Sequence, residues 1–249
     1  MLSKSQIGFI KSLHQKKYRK ENGLFIIEGI KSISEFIHSG YQINSLYFLA
    51  QYHSLLPKLP SNIKLFEVNT TELEKISALQ APQGILAVVH IPVVTEFDSS
   101  TLKNSFTLVL DGIQDPGNLG TIIRTADWFG FKQIICSNHT VEVYNPKTVQ
   151  ATMGSLARVN IIYQELPEFL KDIQIPVFGA MLNGNSLYET QWGSEGLVIL
   201  GNEGQGVSQE VIKLIDRPVT IPRVGMAESL NVAVSAAIFC ADICRFMQK

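Results

Sequence analysis

Polar residues able to do chemistry gather in three short stretches, each beside an apolar run. The first is Asn118-Leu119-Gly120 leading to Arg124. The second is Leu200-Gly201-Asn202-Glu203-Gly204-Gln205-Gly206, and the third runs from Ile221-Pro222 to Glu228-Ser229-Leu230-Asn231. Glycines and a proline at strand ends bring bare backbone to a ligand, while amide, carboxylate and guanidinium groups orient it. Glu203 beside glycines repels phosphate, so its loop suits a ligand without a polyphosphate tail. That loop is not the GxGxxG fingerprint of a dinucleotide fold, and the chain holds no Gly-Lys-Ser/Thr of a phosphate-cradling P-loop. Taken singly, these stretches read as a glycine-rich turn, a helix cap and a surface cation. Together, in fixed order, they point to a site.

The elements that must position them alternate strand and helix. Strand candidates are residues 106–110, 133–136, 159–163, 177–181, 197–200 and 218–221, mostly near-continuous apolar runs, as in parallel strands covered on both faces. One helix is expected to be capped by Asn118 and to end at Gly130, with Ile122, Ile123 and Ala126 inward and Arg124 at the rim. Asn145-Pro146 and Ser208 open two more, and a last helix runs from about Ser229 to Met247. From Leu230 to Phe239 that last helix is apolar nearly all round, so it must be covered on several sides, by the core or by a second copy of the chain. The pattern predicts an open α/β sheet with a crevice at the strand carboxyl ends.

Residues 1–95 read as a smaller α/β unit. An amphipathic helix carries Ile7, Ile10, Leu13 and His14; strands are expected at 24–27, 46–49, 64–68 and 85–89; helices are expected over 29–38 and from Thr70. Pro92 and the polar run 95–104 suggest a linker over 96–104, which leaves 105–249 as the second domain.

Of 249 residues, 45% are hydrophobic, which excludes wholesale disorder, and no apolar run reaches the ~20 residues of a membrane span. Met1 to Gln6 lacks the apolar core of a secretion signal. Cys136, Cys240 and Cys244 lie in apolar segments without a CxxC partner, so they read as reduced core residues, neither disulfides nor metal ligands. A soluble, cytoplasmic protein without a metal is expected. The net charge of −1 hides a basic N-terminus with Lys16, Lys17, Arg19 and Lys20. Such a cluster is either a solvated helix face or a patch for phosphate backbones.

The three stretches together resemble the SpoU (TrmH) family of RNA ribose 2′-O-methyltransferases, in the SPOUT superfamily. The resemblance runs through Asp111-Gly112-Ile113-Gln114-Asp115-Pro116-Gly117-Asn118-Leu119-Gly120 with Arg124-Thr125-Ala126, and then Asn145-Pro146 and Met153-Gly154-Ser155. Leu200 to Gly204 and Ile221-Pro222 through Ser229-Leu230-Asn231-Val232 complete it. Lys16-Lys17-Tyr18-Arg19, Gly23-Leu24-Phe25, Glu28-Gly29 and 83–88 resemble the family's ribosomal-protein-like RNA-binding module. The resemblance implies a SPOUT-type, mostly parallel sheet ending in a deep trefoil knot, a rare exception to the rule against threaded chains. It also implies a homodimer through the C-terminal helix and knot. S-adenosylmethionine would be held largely by backbone at Gly201, Ile221 and Leu230, with Leu182 and Asn183 as further candidates.

The same resemblance assigns catalysis to Arg124, with Asn118, Glu203 and Asn231 around it. A guanidinium, which holds its proton throughout the ordinary pH range, is a reluctant base. Arg124 is therefore expected to hydrogen-bond the emerging oxyanion, with Glu203 holding it and the two asparagines fixing ribose and guanidinium. Lys16, Lys17, Arg19 and Lys20 would contact RNA phosphates. Ribosomal RNA is the preferred substrate, with transfer RNA the alternative. A non-catalytic RNA-binding assembly factor is the rival reading. An oxidoreductase fails because Asp115-Pro116-Gly117-Asn118 lacks the dinucleotide glycines.

Overall fold

A computed structural model describes residues 1–56, 59–60, 63–93 and 97–248. They form two compact units, Met1–Thr95 with Glu142–Arg158, and Glu96–Val141 with Val159–Lys249.

The first unit carries β1 (Leu24–Glu28), β2 (Ile43–Phe48), β3 (Lys64–Glu67) and β4 (Ile85–His90) in the order β1-β4-β2-β3. β4 runs antiparallel to both neighbours, and β3 runs parallel to β2. Leu24 and Ile26 of β1 pack on one side with Ile10, Leu13, Leu73 and Ile76. Phe25 points the other way, into a ring cluster with Phe36, Tyr41 and Tyr144. That alternation across β1 is why a helix can cover each face.

The segment Glu142–Arg158 was expected in the second domain and packs instead with the first. Arg19 explains much of this. It was expected on RNA phosphates, yet it is 2% exposed. Its guanidinium pairs with Glu142 at 2.6 Å and donates to the carbonyls of Leu13 and His14, which follow the Lys4–Ser12 helix. The planar fork thus engages four of its five N–H donors, two on a carboxylate and two on carbonyls at the helix end. Lys16, Lys17 and Lys20 remain exposed. The single N-terminal helix expected from periodicity is two, Lys4–Ser12 and Lys16–Asn22.

The second unit is a six-stranded parallel sheet of β5 (Phe106–Asp111), β6 (Gln133–Ser137), β7 (Asn160–Gln164), β8 (Val177–Ser186), β9 (Gly196–Gly201) and β10 (Arg217–Thr220). Their order is β10-β8-β9-β5-β6-β7. The chain moves outward from β5 to β6 and β7, then returns to build the other side. β5 and β9 thus flank a topological switch point, where open parallel sheets form their crevices. β8 is longer than expected, and its pairing with β10 shifts between Pro218 and Val219. At that shift Gly184 lies so close to Pro218 that a Cβ would sit 2.6 Å from its backbone.

Residues 94–96, where the expected linker begins, lie outside the described residues. Its later part is not a free tether: Ser99–Leu102 forms a 3-10 turn that buries Leu102 in the second unit's core. The last helix, expected from about Ser229, begins at Val232 with Asn231 as its cap and packs beside the Pro116–Trp128 helix. Trp192 is fully buried on Phe178 and Phe239 and donates to Asp242 of the last helix at 2.9 Å. Cys136 and Cys240 are buried and free, and burial pushes both thiols well above their ordinary range.

Arg19→Ala should destabilise the first unit by about 3–5 kcal/mol, because the carboxylate of Glu142 loses its partner in a poorly solvated place. Lys17→Ala, at a side chain 73% exposed, should stay within about 0.5 kcal/mol. Denaturant unfolding of both variants checks the contrast.

Candidate active site

The site forms where the loops after β5, β9 and β10 meet. Because β5 and β9 are neighbours, Asp111 lies opposite Gly201 at the strand ends. Two ties then join the loops. Asp111 accepts from the amide of Ser208 at 2.8 Å, and the Asn202 side chain donates to the Gly112 carbonyl at 2.7 Å. Asn202 also accepts from the amides of Gly204 and Gln205, which folds the glycine-rich loop into a tight turn. Gly201 has to be glycine, since a Cβ there would lie 2.2 Å from the Gly206 backbone.

Asn118 does not cap its helix as expected. Asp115 does, accepting from the Asn118 amide at 2.7 Å, with Pro116 in the first turn. That leaves the Asn118 side chain free. It donates to Glu203 at 2.7 Å and accepts from Asn231 at 3.0 Å. Asn231 in turn accepts from the amides of Ala233 and Val234 at the start of the last helix. A chain of hydrogen bonds therefore runs from the Glu203 carboxylate through two neutral amides to a helix N-terminus, where partial positive charge gathers. Three of the four expected catalytic residues are brought together.

Arg124 is the exception. It is exposed, makes no ion pair or hydrogen bond among the described residues, and does not line the cavity described next. The expected Glu203–Arg124 pairing is replaced by Glu203–Asn118. Ile122, Ile123 and Ala126 are fully buried, so the helix turns Arg124 outward as its periodicity requires.

A cavity of about 840 Å³ opens beside this chain, within the range of small-molecule sites. Gly201, Ile221, Leu230 and Leu182 line it as expected, but Asn183 does not. The bulged part of β8 delivers Ala180 to Leu182 to one wall, held by Thr220 donating to the Leu182 carbonyl at 3.1 Å. Glu203 and Glu228 stand against a single cation, Arg223, in the lining. Backbone, apolar side chains and two carboxylates suit a neutral or cationic ligand with a flat apolar part. They do not suit a polyphosphate. Asn202, Asp111 and Asp115 were missed from sequence. The signal was there for Asn202 and Asp115, since Asx residues at a strand end and before a proline serve as turn and cap.

These features define an open parallel α/β protein with a polar relay at its switch point and a ligand cavity at the carboxyl ends of the strands beside it. The chain belongs to the SpoU rRNA Methylase family, whose model matches residues 105–241; residues 4–87 match an MRM3-like substrate binding domain. It is 33% identical over 233 residues to the 23S rRNA (guanosine(2553)-2′-O)-methyltransferase RlmP of Bacillus subtilis, covering 92% of this chain and 91% of that protein. Among solved structures it is similar to a TrmH-family protein from Porphyromonas gingivalis (37% identity, TM-score 0.88, 97% and 98% of the two chains). It is also similar to the AdoMet-bound rRNA methyltransferase of Sinorhizobium meliloti (26%, TM-score 0.82, 98% and 96%).

Asn231→Ala should cost about 1 kcal/mol through the lost helix cap and should release Asn118 from one partner. Gly201→Ala should open the 202–206 turn. Faster hydrogen exchange at the Gly206 amide, which bonds Asn202 in the native loop, checks the second.

Proposed function

We propose that this chain is an S-adenosylmethionine-dependent RNA methyltransferase that methylates a ribose 2′-hydroxyl, with ribosomal RNA as its substrate. The observation that carries the reading is the Glu203–Asn118–Asn231 relay beside the cavity, in a chain of this family. Family membership and the named relatives favour ribosomal over transfer RNA.

The cavity fits the methyl donor by its chemistry. Backbone and apolar groups at Gly201, Ile221, Leu230 and Leu182 suit adenine, and the carboxylates of Glu203 and Glu228 suit a cationic sulfonium. When bound there, S-adenosylmethionine supplies an electrophilic methyl group. The protein's part is to hold the ribose and to stabilise the charge that grows on its oxygen. Asn118 and Asn231 orient the sugar through neutral hydrogen bonds, with Glu203 fixing the Asn118 amide. Arg124 donates to the developing oxyanion and the neighbouring phosphate, and the proton leaves to that phosphate or to water.

Arg124 reaches a cavity in this reading by way of a second copy. Arg124 and Trp128 are one turn apart on an exposed helix face, and Trp128 is 82% exposed. Val234 on the adjoining last helix and Leu230 before it are each 49% exposed. Apolar groups of this size in the open, on and beside the two adjoining helices, one of which carries Arg124, support a homodimer that covers them and completes each site with the partner's guanidinium. Membership of this family supports the trefoil knot that the resemblance implies. The residues 4–87 match supports a substrate-binding role for the first unit, with Lys16, Lys17 and Lys20 on RNA phosphates. Free, buried thiols support a reducing cytoplasmic setting.

Arg124→Ala should abolish methylation while S-adenosylmethionine binding by calorimetry survives. Arg124→Lys should fail as well, because one ammonium cannot make two oriented contacts. Near-normal turnover by either variant refutes the assignment. Reversing the charge of Lys16 and Lys17 together should weaken RNA binding and flatten its salt dependence; an unchanged slope removes the RNA role of those lysines.

A further inference from the structure

The first unit holds a cavity of its own, about 250 Å³, which shares no lining residue with the cofactor cavity. Its walls are Ile26 of β1, Ala78 and Leu79 after the Thr70–Ile76 helix, and Pro146, Val149 and the polar Gln150 of the Pro146–Thr152 helix. Among these mostly apolar groups stands one carboxylate, Glu28, only 6% exposed. The excursion Glu142–Arg158 thus supplies one side of a pocket whose other side is the N-terminal sheet.

Glu28 is a costly residue to bury, and its needs are half met. Among the described residues no cation pairs with it. One oxygen accepts from the Ser77 hydroxyl at 2.6 Å and the other from the Ala78 amide at 2.8 Å. A carboxylate offers about four acceptor sites, so each oxygen keeps capacity for a further donor. Burial raises its carboxyl above the ordinary range, opposed by those two hydrogen bonds and by nearby His14. Pinning the Ser77–Ala78 backbone explains the two bonds made. It does not explain why the carboxylate also faces an apolar cavity too small for a drug-sized ligand, for which about 300 Å³ is a lower bound.

We propose, on the reading that this protein acts on RNA, that this cavity receives one unpaired guanine of the substrate, whose Watson–Crick edge donates to Glu28. The argument is one of complementarity. Guanine alone among the common bases presents two adjacent N–H donors, N1–H and N2–H, which match the two oxygens of a carboxylate. Adenine and cytosine each set a ring nitrogen acceptor beside their amine, and uracil flanks its single N–H with two carbonyls; a carboxylate repels all of these. Splayed bases of single-stranded loops are read in this way, by edge hydrogen bonds with apolar contact to the ring faces. Lys147 at the rim is exposed and can meet the phosphate that follows such a base into the pocket.

The test uses the full chain labelled with ¹⁵N-alanine, since Ala78 and Ala151 both line the cavity. Guanosine should shift those two amides in a saturable way, inosine (without the 2-amino group) less, and adenosine and cytidine not at all. Ala78 is exposed, so Ala78→Phe plugs the mouth without entering the core. That variant should lose the guanosine shift at Ala151, the alanine probe it keeps, and weaken RNA binding by about tenfold, the order that one base contact carries. Equal shifts from all four nucleosides, no shift with guanosine, or unaltered RNA affinity in Ala78→Phe would each overturn the proposal. Calorimetry with S-adenosylmethionine on the wild type separates this from the functional reading. If the cofactor fails to bind, that reading falls, while guanosine-specific shifts would leave the pocket standing.

Discussion

The pairing of β5 with β9, out of sequence order, is the constraint on which the site depends. It sets Asp111 against Gly201 at the carboxyl ends of two buried strands. Asn118 and Glu203, 85 residues apart, can then share a hydrogen bond. The sheet supplies a rigid base, since both strands are covered on both faces and every β9 residue except terminal Gly201 is buried. Ties across the switch point, from Asp111 to Ser208 and from Asn202 to Gly112, transfer that rigidity to loops that would otherwise be loose. A site assembled from loop residues needs such anchoring to hold its geometry.

The relay that results is electrically economical. Glu203 stands at an exposed position, and two amides pass hydrogen-bond polarity from it to the N-terminus of a sixteen-residue helix. Neutral amides can be held firmly without the desolvation cost of a buried ion. Within one chain, however, the relay contains no cation. The arginine nearest in sequence sits on the outward face of a helix whose other side is filled by Leu119, Ile122, Ile123 and Ala126. Turning it inward would exchange a buried isoleucine for a charge. Geometry therefore assigns the polar scaffold and the guanidinium to different surfaces.

Strands were the most legible part of the sequence, because buried parallel strands are written as unbroken apolar runs. The functional loops were legible because glycine, proline and Asx residues punctuate strand ends. Caps were less so. Asn118 and Asp115 both suit a helix start, and only the structure shows that Asp115 takes the cap while Asn118 turns its side chain to Glu203. Arg19 was misread for a different reason. A cation among lysines looks solvated, and its partner Glu142 is 123 residues away, out of reach of any local pattern.

The same limit hid the excursion of Glu142–Arg158. Periodicity reports that residues 146–152 form a helix with one apolar face, but not which body that face covers. Once it packs with the first unit, the chain passes between units after residues 95, 141 and 158, and neither unit is a continuous stretch of sequence. The consequence is energetic. Cut away from Glu142 and Tyr144, the N-terminal 95 residues would keep Arg19 without its carboxylate and Phe25 without a ring 4.6 Å away. They would also lose the helix that walls the Glu28 pocket. Any RNA recognition placed in the first unit therefore rests on residues encoded between two strands of the second. A change in that insert should alter any such recognition while leaving the cavity beside the Glu203 relay, which none of its residues line, as it was.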